Sequence, residues 1–299
     1  ASAAAAPAAG ANAIDPLAEL VHYNVVWDSP SRDAAGSMPI GNGEVGLNVR
    51  VEADGDLLFY ISRTDSWSEC NRLLKLGRVR VHLSPNPFVK GMKFRQVLHL
   101  RRGQIEITAG DATVRVFVDA EAPVIHVFGY GRTPRTVTAT LENWRTEKRI
   151  LKGEELASSW TMQAAPAGIE VWESPDVITS SPAAVTWYHR NEYSIVPLTL
   201  KHQGLESLAH LVRDPLLQRT FGGRMTGRGF VSEGTDKIKL VKPARDFSLS
   251  IATHTAQTPN AEEWQQQLAP APDAMTVCRT IAWWNAFWKR SWIFVEGDK

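Results

Sequence analysis

The stretch Gly77-Arg78-Val79-Arg80-Val81-His82-Leu83 alternates without a break, with Val79, Val81 and Leu83 on one side and Arg78, Arg80 and His82 on the other. Successive side chains leave a strand on opposite faces, so the pattern fits a half-buried strand and no helix. It ends at Ser84-Pro85-Asn86-Pro87, where two prolines withhold ladder donors. Strand patterns continue over residues 94–100, 105–108, 112–118, 124–128 and 136–141, separated by breaks such as Arg102-Gly103-Gln104, Ala109-Gly110-Asp111 and Glu121-Ala122-Pro123. Turns spaced by roughly eight to twelve residues describe an antiparallel meander of the sandwich type. Residues 184–188, 193–200, 237–241 and 246–253 extend the series. One more strand is expected near Ile169-Glu170-Val171-Trp172, inside a long excursion over 142–181, and 214–223 is expected as a loop or short helical turn. The expected fold is mainly β.

Pro39-Ile40-Gly41-Asn42-Gly43-Glu44-Val45-Gly46 matches the letters G-x-G-x-x-G, which bind a pyrophosphate only between a strand and a helix N-terminus. After Gly46 come Leu47-Asn48-Val49-Arg50-Val51-Glu52, again period two, then an Asp54-Gly55 turn and the run Leu57-Leu58-Phe59-Tyr60-Ile61. That is a hairpin, with no helix to meet a phosphate. Gly41, Gly43 and Gly46 are expected to permit a tight turn. Asn42 either faces a ligand or caps its own turn.

Helices are expected only near the end. Thr258-Pro259 followed by Glu262 and Glu263 reads as a helix start with Thr258 as cap, and after Pro270-Ala271-Pro272 Asp273 reads as the cap of a second helix. On that second helix Val277, Ile281, Trp284 and Trp288 form one apolar stripe, widened by Trp283 and Phe287. So wide an aromatic face calls for a partner surface. The sequence then gives Trp292-Ile293-Phe294-Val295, read either as a strand returning to the sandwich or as a chain cut before its next domain.

Composition narrows the function classes. The 299 residues are 43% apolar with a net charge of +1, which supplies a core but no field favouring nucleic acid or acidic membranes. No apolar run reaches the roughly eighteen residues of a membrane span. The opening ASAAAAPAAGANA cannot build a core and reads as the remnant or spacer of an export signal, placing the protein in the periplasm or outside the cell. Cys70 and Cys278, the two cysteines, could then pair or could simply be buried small groups.

The eight histidines show no metal-ligand spacing, and no nucleophile elbow or phosphate loop occurs, so neither metal nor cofactor is expected. Glycoside cleavage needs two carboxyl groups about 5 to 10 Å apart. Asp65 and Glu69 would lie on one side of a helical turn, unless Asp65 or Ser66 merely caps a short helix over 67–74. Trp67, Trp144, Trp160, Trp172 and Trp187 could stack on sugar rings or fill a core. Trp187-Tyr188-His189-Arg190-Asn191-Glu192 gathers aromatic, donor and acceptor groups in one corner, and Arg219-Thr220-Phe221 is the next such group. The candidate substrate-binding set is Asn42, Asp65, Trp67, His189, Arg190, Asn191 and Arg219.

Trp27-Asp28-Ser29-Pro30, then the turn over 39–46, the hairpin over 47–61 and Thr64-Asp65-Ser66-Trp67 together resemble the N-terminal β-sandwich of secreted bacterial glycoside hydrolases of the family ninety-five type, the α-L-fucosidase and α-galactosidase group. With Arg72 to Val81, Pro85-Asn86-Pro87-Phe88 and Asp214 to Gly223, the chain looks closer still to an uncharacterised N-terminal domain family of such proteins. The resemblance implies an Ala-rich spacer over 1–19, a large antiparallel super-sandwich over 20–256, and one or two linker helices over 257–299 leading to an (α/α)-toroid. It implies a carbohydrate substrate, a toroid packed on Trp283, Trp284, Phe287 and Trp288, and a catalytic centre in that toroid, so no catalytic residue here. An autonomous carbohydrate-binding sandwich and a complete hydrolase using Asp65 and Glu69 are the competing readings.

Overall fold

The computed structural model describes residues 15–89, 91–268, 275–290 and 292–293. The Ala-rich opening, the 270–272 break, the Asp273 cap and the end of the 292–295 run lie outside the described residues. In chain order the strands are β1 (Val25–Trp27), β2 (Met38–Gly41), β3 (Val45–Val51), β4 (Leu57–Trp67), β5 (Leu73–Ser84), β6 (Phe94–His99), β7 (Gln104–Ala109), β8 (Ala112–Val118) and β9 (Val124–Glu142). They continue as β10 (Arg149–Ile150), β11 (Trp172–Glu173), β12 (Val177–Ser181), β13 (Ala184–Arg190), β14 (Arg219–Gly227), β15 (Phe230–Ser232), β16 (Lys237–Leu240) and β17 (Ala244–Gln257). The α-helices are short: α1 (Pro16–Glu19), α2 (Gly153–Ala157), α3 (Val196–His202), α4 (Ala261–Gln266) and α5 (Thr276–Trp288).

Two antiparallel arrays share β9. One runs β1-β6-β7-β8-β9-β17-β14-β13-β12 and the other β2-β3-β4-β5-β9-β16-β15. The first half of β9 pairs with β8 and β17, the second with β5 and β16. Where two strands were expected, over 124–128 and 136–141, one 19-residue strand crosses between the arrays. Gly129, just before the crossing, keeps the inward position but has no side chain, since a Cβ there would lie 2.0 Å from the Phe247 ring. The inward faces form one core: Val49, Val51, Phe59, Ile61, Val79 and Val81 from one array, Ile105, Ile107, Val114, Val116, Leu249 and Ile251 from the other. Full burial of each such side chain contributes about 1.5–3 kcal/mol. Trp187 crosses the core and donates from Nε1 to the Leu76 carbonyl at 2.6 Å.

Three local expectations are corrected. Of residues 214–223, read as a loop or short helical turn, 219–223 belong to β14 in the middle of its sheet. Their glycines are there for space, since a Cβ on Gly222 would meet the Trp187 carbonyl at 2.0 Å and one on Gly223 the indole itself at 3.1 Å. Residues 193–200, read as strand, contain α3, which Pro197 starts and Lys201 and His202 favour at its C-terminal end. The cap of α4 is Asn260, not Thr258; its side chain accepts from the Glu263 N–H at 2.8 Å.

Candidate functional site

The glycine turn joins β2 to β3. Asn42 Oδ1 accepts from the N–H groups of Glu44 (3.0 Å) and Val45 (2.8 Å), closing the turn upon itself. Its Nδ2 donates to the carbonyls of Asp119 (2.8 Å) and Ala122 (3.2 Å), tying the turn to the β8–β9 loop. Gly43 has a φ of 94°, and a Cβ on Gly41 would sit 2.5 Å from the Val45 carbonyl. Gly46 has nothing within 4 Å of its missing Cβ. Two glycines serve the backbone; the third leaves open space.

The expected helical turn after Asp65 is absent. Asp65 lies in β4, and the chain reverses through Asn71, at a φ of 56°, into β5. Asp65 and Glu69 therefore diverge. Asp65 is partly exposed and paired with buried Arg63 (2.9 Å), which also binds Glu44 and donates to Thr253 Oγ1 at 3.0 Å. Burial would raise the Asp65 pKa, but the Arg63 guanidinium outweighs it and holds the carboxyl below its ordinary value. Glu69 is buried and accepts from Ser174 N (3.0 Å), Ser174 Oγ (2.5 Å) and His189 Nε2 (2.8 Å).

His189 stands at the centre of this interior network. Its Nδ1 donates to Asp176 Oδ1 at 2.9 Å, and Asp176 is gripped by Arg145 Nε (2.8 Å) and Nη2 (2.7 Å) and by Asn143 Nδ2 (2.8 Å). Burial alone would lower the His189 pKa; the carboxylates of Asp176 and Glu69 reverse this and push it up to about 9. A cation held between two anions pins the 142–181 excursion to β13. The other expected residues gather beside it. Asn191 Nδ2 donates to the carbonyls of Trp67 and Leu216, both at 2.9 Å. Arg190 donates to four acceptors: Gln218 O, Thr220 Oγ1, Thr258 O and Pro259 O. Arg219 reaches the Asp65 carbonyl at 3.4 Å. The structure thus brings together Asp65, Trp67, His189, Arg190, Asn191 and Arg219, but mostly as mutual supports, with His189 and Asn191 out of contact with solvent.

A groove of about 460 Å³ opens on the other flank of the glycine turn. Its lining includes Gly41, Gly46, Asn48 and Ser62 from the hairpins, Leu98, Leu100 and Gly103, and Trp284 and Trp288 from α5. Gly103, at a φ of 58°, is bare because the Trp284 indole occupies its Cβ position, 2.0 Å from Nε1. Trp288 Nε1 donates to the Leu100 carbonyl at 2.9 Å, and Ala120 N–H donates to Thr280 Oγ1 at 3.3 Å. So the sandwich itself covers Trp284 and Trp288, half of the aromatic face for which a helical partner was expected. Trp283 and Phe287, which do not line that groove, stack on one another (5.4 Å between centroids) beneath Arg290. Among the described residues neither the Asn48 amide nor the Ser62 hydroxyl has a hydrogen-bond partner. In the sequence, Asn48 stands out only as the polar side of a strand, and Trp284 and Trp288 only as a stripe.

Of the tryptophans considered for stacking, Trp187 is core and Trp67 half-buried, while Trp172 stacks on Tyr193 at 4.1 Å under Lys148. Trp144 meets Tyr60 edge-on, and Trp160 is 77% exposed. Cys70 and Cys278 are unpaired: Cys70 is buried 2.7 Å from the Tyr193 hydroxyl, burial pushing its thiol up to about 11, and Cys278 is exposed. Among the described residues no group of three or more His, Cys, Asp or Glu is placed to hold a metal, and no helix is long and apolar enough to cross a membrane. A family model described as a domain of unknown function (DUF5703) matches residues 26–293. No curated protein matches the chain.

Proposed function

The chain belongs to the DUF5703 family of domains of unknown function, and from that premise we propose that it is an accessory domain of a carbohydrate-active protein, with the groove beside Gly46 as its sugar-binding surface. One observation carries the reading: Trp284 and Trp288 share a groove with an amide and a hydroxyl that have no hydrogen-bond partner among the described residues. Sugar rings present apolar faces to indoles and hydroxyls to such polar groups, and binding grooves combine a mostly apolar lining with a few convergent polar atoms. The resemblance to glycoside hydrolases of the family ninety-five type points to the same substrate class. On this reading the parent protein is exported, its catalytic carboxylates lie in a helical domain, and that domain sits on the half-exposed Trp283 and Phe287. Glu69 is unsuited to acid–base work here, being enclosed with His189 and Ser174.

Gly46 provides a clean test. A Cβ there has no protein atom within 4 Å and lies at the groove wall, so Gly46→Leu should fill groove space and keep the melting temperature of the parent chain. Titration with fucose- and galactose-terminated oligosaccharides, followed by tryptophan fluorescence and calorimetry, should show saturable binding that Gly46→Leu weakens at least ten-fold. No binding by the unaltered chain, or equal binding by both, would refute the proposal.

A further inference from the structure

The segment Leu98-His99-Leu100-Arg101-Arg102-Gly103 is two-sided. Leu98, Leu100 and Gly103 line the aromatic groove, whereas His99, Arg101 and Arg102 line a second, larger groove of about 780 Å³. Helix α5 divides in the same way, with Trp284 and Trp288 toward the first groove and Ile281 and Asn285 toward the second. The two grooves thus share both walls.

The second groove is cationic. The charge comes from Arg95, Arg101 and Arg102, which line it beside His22 and His99 in a chain whose net charge is only +1. Asn285 Oδ1 accepts from Arg101 Nε at 2.8 Å, anchoring that exposed side chain to α5. Glu106 lies 3.8 Å from His99 and is paired more closely with Arg115 at 2.8 Å. We propose that this groove binds the carboxylate or sulfate groups of an acidic saccharide. Guanidinium groups match such planar or tetrahedral oxyanions with paired N–H donors. The volume far exceeds one inorganic ion. No aromatic ring of Phe, Tyr or Trp lines this groove among the described residues, so it lacks the stacking platform on which single-stranded nucleic acid depends. The shared wall with the indole groove favours a sugar as the carrier of the charge. His99 registers the local field: burial first, opposed by Glu106, and then Arg102, Arg115 and Arg95 lower its pKa.

The inference rests on the reading of the Gly46 groove as a sugar site, yet the two fail separately. Gly46→Leu tests that reading, whereas Arg95→Ala with Arg102→Ala, at two exposed positions, tests this one. The probes are an oligogalacturonate, a sulfated dextran oligosaccharide, a neutral oligosaccharide of equal length, inorganic sulfate and a single-stranded oligonucleotide. The expected result is at least ten-fold tighter binding of both acidic saccharides than of the neutral one, weakening with salt. The double variant should lose that preference with an unchanged melting temperature. The His99 ring, followed by NMR in the unaltered chain, should titrate at higher pH once an acidic saccharide is bound. Equal binding of neutral and acidic sugars, an undiminished preference in the double variant, a response to sulfate alone equal to that of the sulfated sugar, or preference for the oligonucleotide would each overturn the assignment.

Discussion

Around His189, itself out of contact with solvent, two carboxylates, a guanidinium, an amide and a hydroxyl form one hydrogen-bonded network. Beside Gly46, an amide and a hydroxyl stand open to a groove walled by two indoles. Both regions set polar side chains beside tryptophan. They differ in whether the polar groups have partners. A polar group enclosed with its partners serves the fold, because losing one partner strands the other at a desolvation cost. A polar group without a partner, at an accessible apolar surface, is available to a ligand.

The sharpest separation of the two regions is Arg145→Ala. Asp176 would then be a buried anion with one cation fewer, and breaking a buried ion pair from one side costs about 3–5 kcal/mol. Urea unfolding should register that loss, while saccharide binding by the remaining folded protein should persist. A loss below about 1 kcal/mol, the range of exposed pairs, would dissolve the distinction.

Next is pH. The folded state holds the His189 proton up to about 9, against an ordinary value near 6.5. The folded protein therefore binds more protons than the unfolded chain between these values, so this stabilisation is complete below pH 6.5 and drains away as pH rises through 9. At 1.36 kcal/mol per pKa unit the total is about 3 kcal/mol. His126 behaves oppositely. It is stacked between Phe117 (4.7 Å) and Phe128 (5.7 Å), neither ring nitrogen has a partner among the described residues, and burial, weakly opposed by Asp119, lowers its pKa to about 4. Stability should fall as pH drops from 6.5 toward 4, because only the unfolded chain takes up that proton. Urea midpoints against pH should peak between the two limbs, with His189→Gln flattening the alkaline limb and His126→Phe the acid one. Persistence of either slope in its variant would assign it to other groups.

Gly103→Ala reaches the groove through the fold. Its φ of 58° strains any L side chain, and the added Cβ collides with Trp284. A cost of about 1–3 kcal/mol is expected from such overpacking. Because the collision pushes α5 off the wall, red-shifted tryptophan emission and weakened saccharide binding should appear together. Destabilisation with intact binding would mean that α5 does not form the groove.

Sequence pattern alone supports the sandwich wherever alternation is unbroken, as in β3, β5 and β8. It fails where one long-range neighbour overrides local preference. Gly222 and Gly223 read as loop because nothing near them in sequence reveals the Trp187 indole for which they make room. The expected polar corner was legible as a cluster, but its closure was not, because Glu69, Arg145 and Asp176 come from segments far apart in the chain. The groove was hidden for a further reason. Each of its residues has a sufficient local explanation, as turn glycine, strand exterior or helix stripe, and only the docking of α5 on 98–103 gathers them.

The mildest comparison makes one substitution in both regions. Asn191 is fully buried and donates to Trp67 O and Leu216 O, so Asn191→Ala takes a buried donor from both carbonyls, of which Leu216 O keeps only the Arg219 N–H at 3.0 Å, and should cost about 1–3 kcal/mol by urea unfolding. Asn48 is exposed and its side chain has no hydrogen-bond partner among the described residues, so Asn48→Ala should stay within about 0.5 kcal/mol of the parent chain. Binding should rank them the other way. Asn48→Ala removes an amide that a sugar hydroxyl would use and should weaken oligosaccharide binding several-fold, whereas Asn191→Ala, where folded, should leave it unchanged. If Asn48→Ala changed neither stability nor affinity, the Asn48 amide would play no part in recognition, and the groove would have to act through its indoles alone.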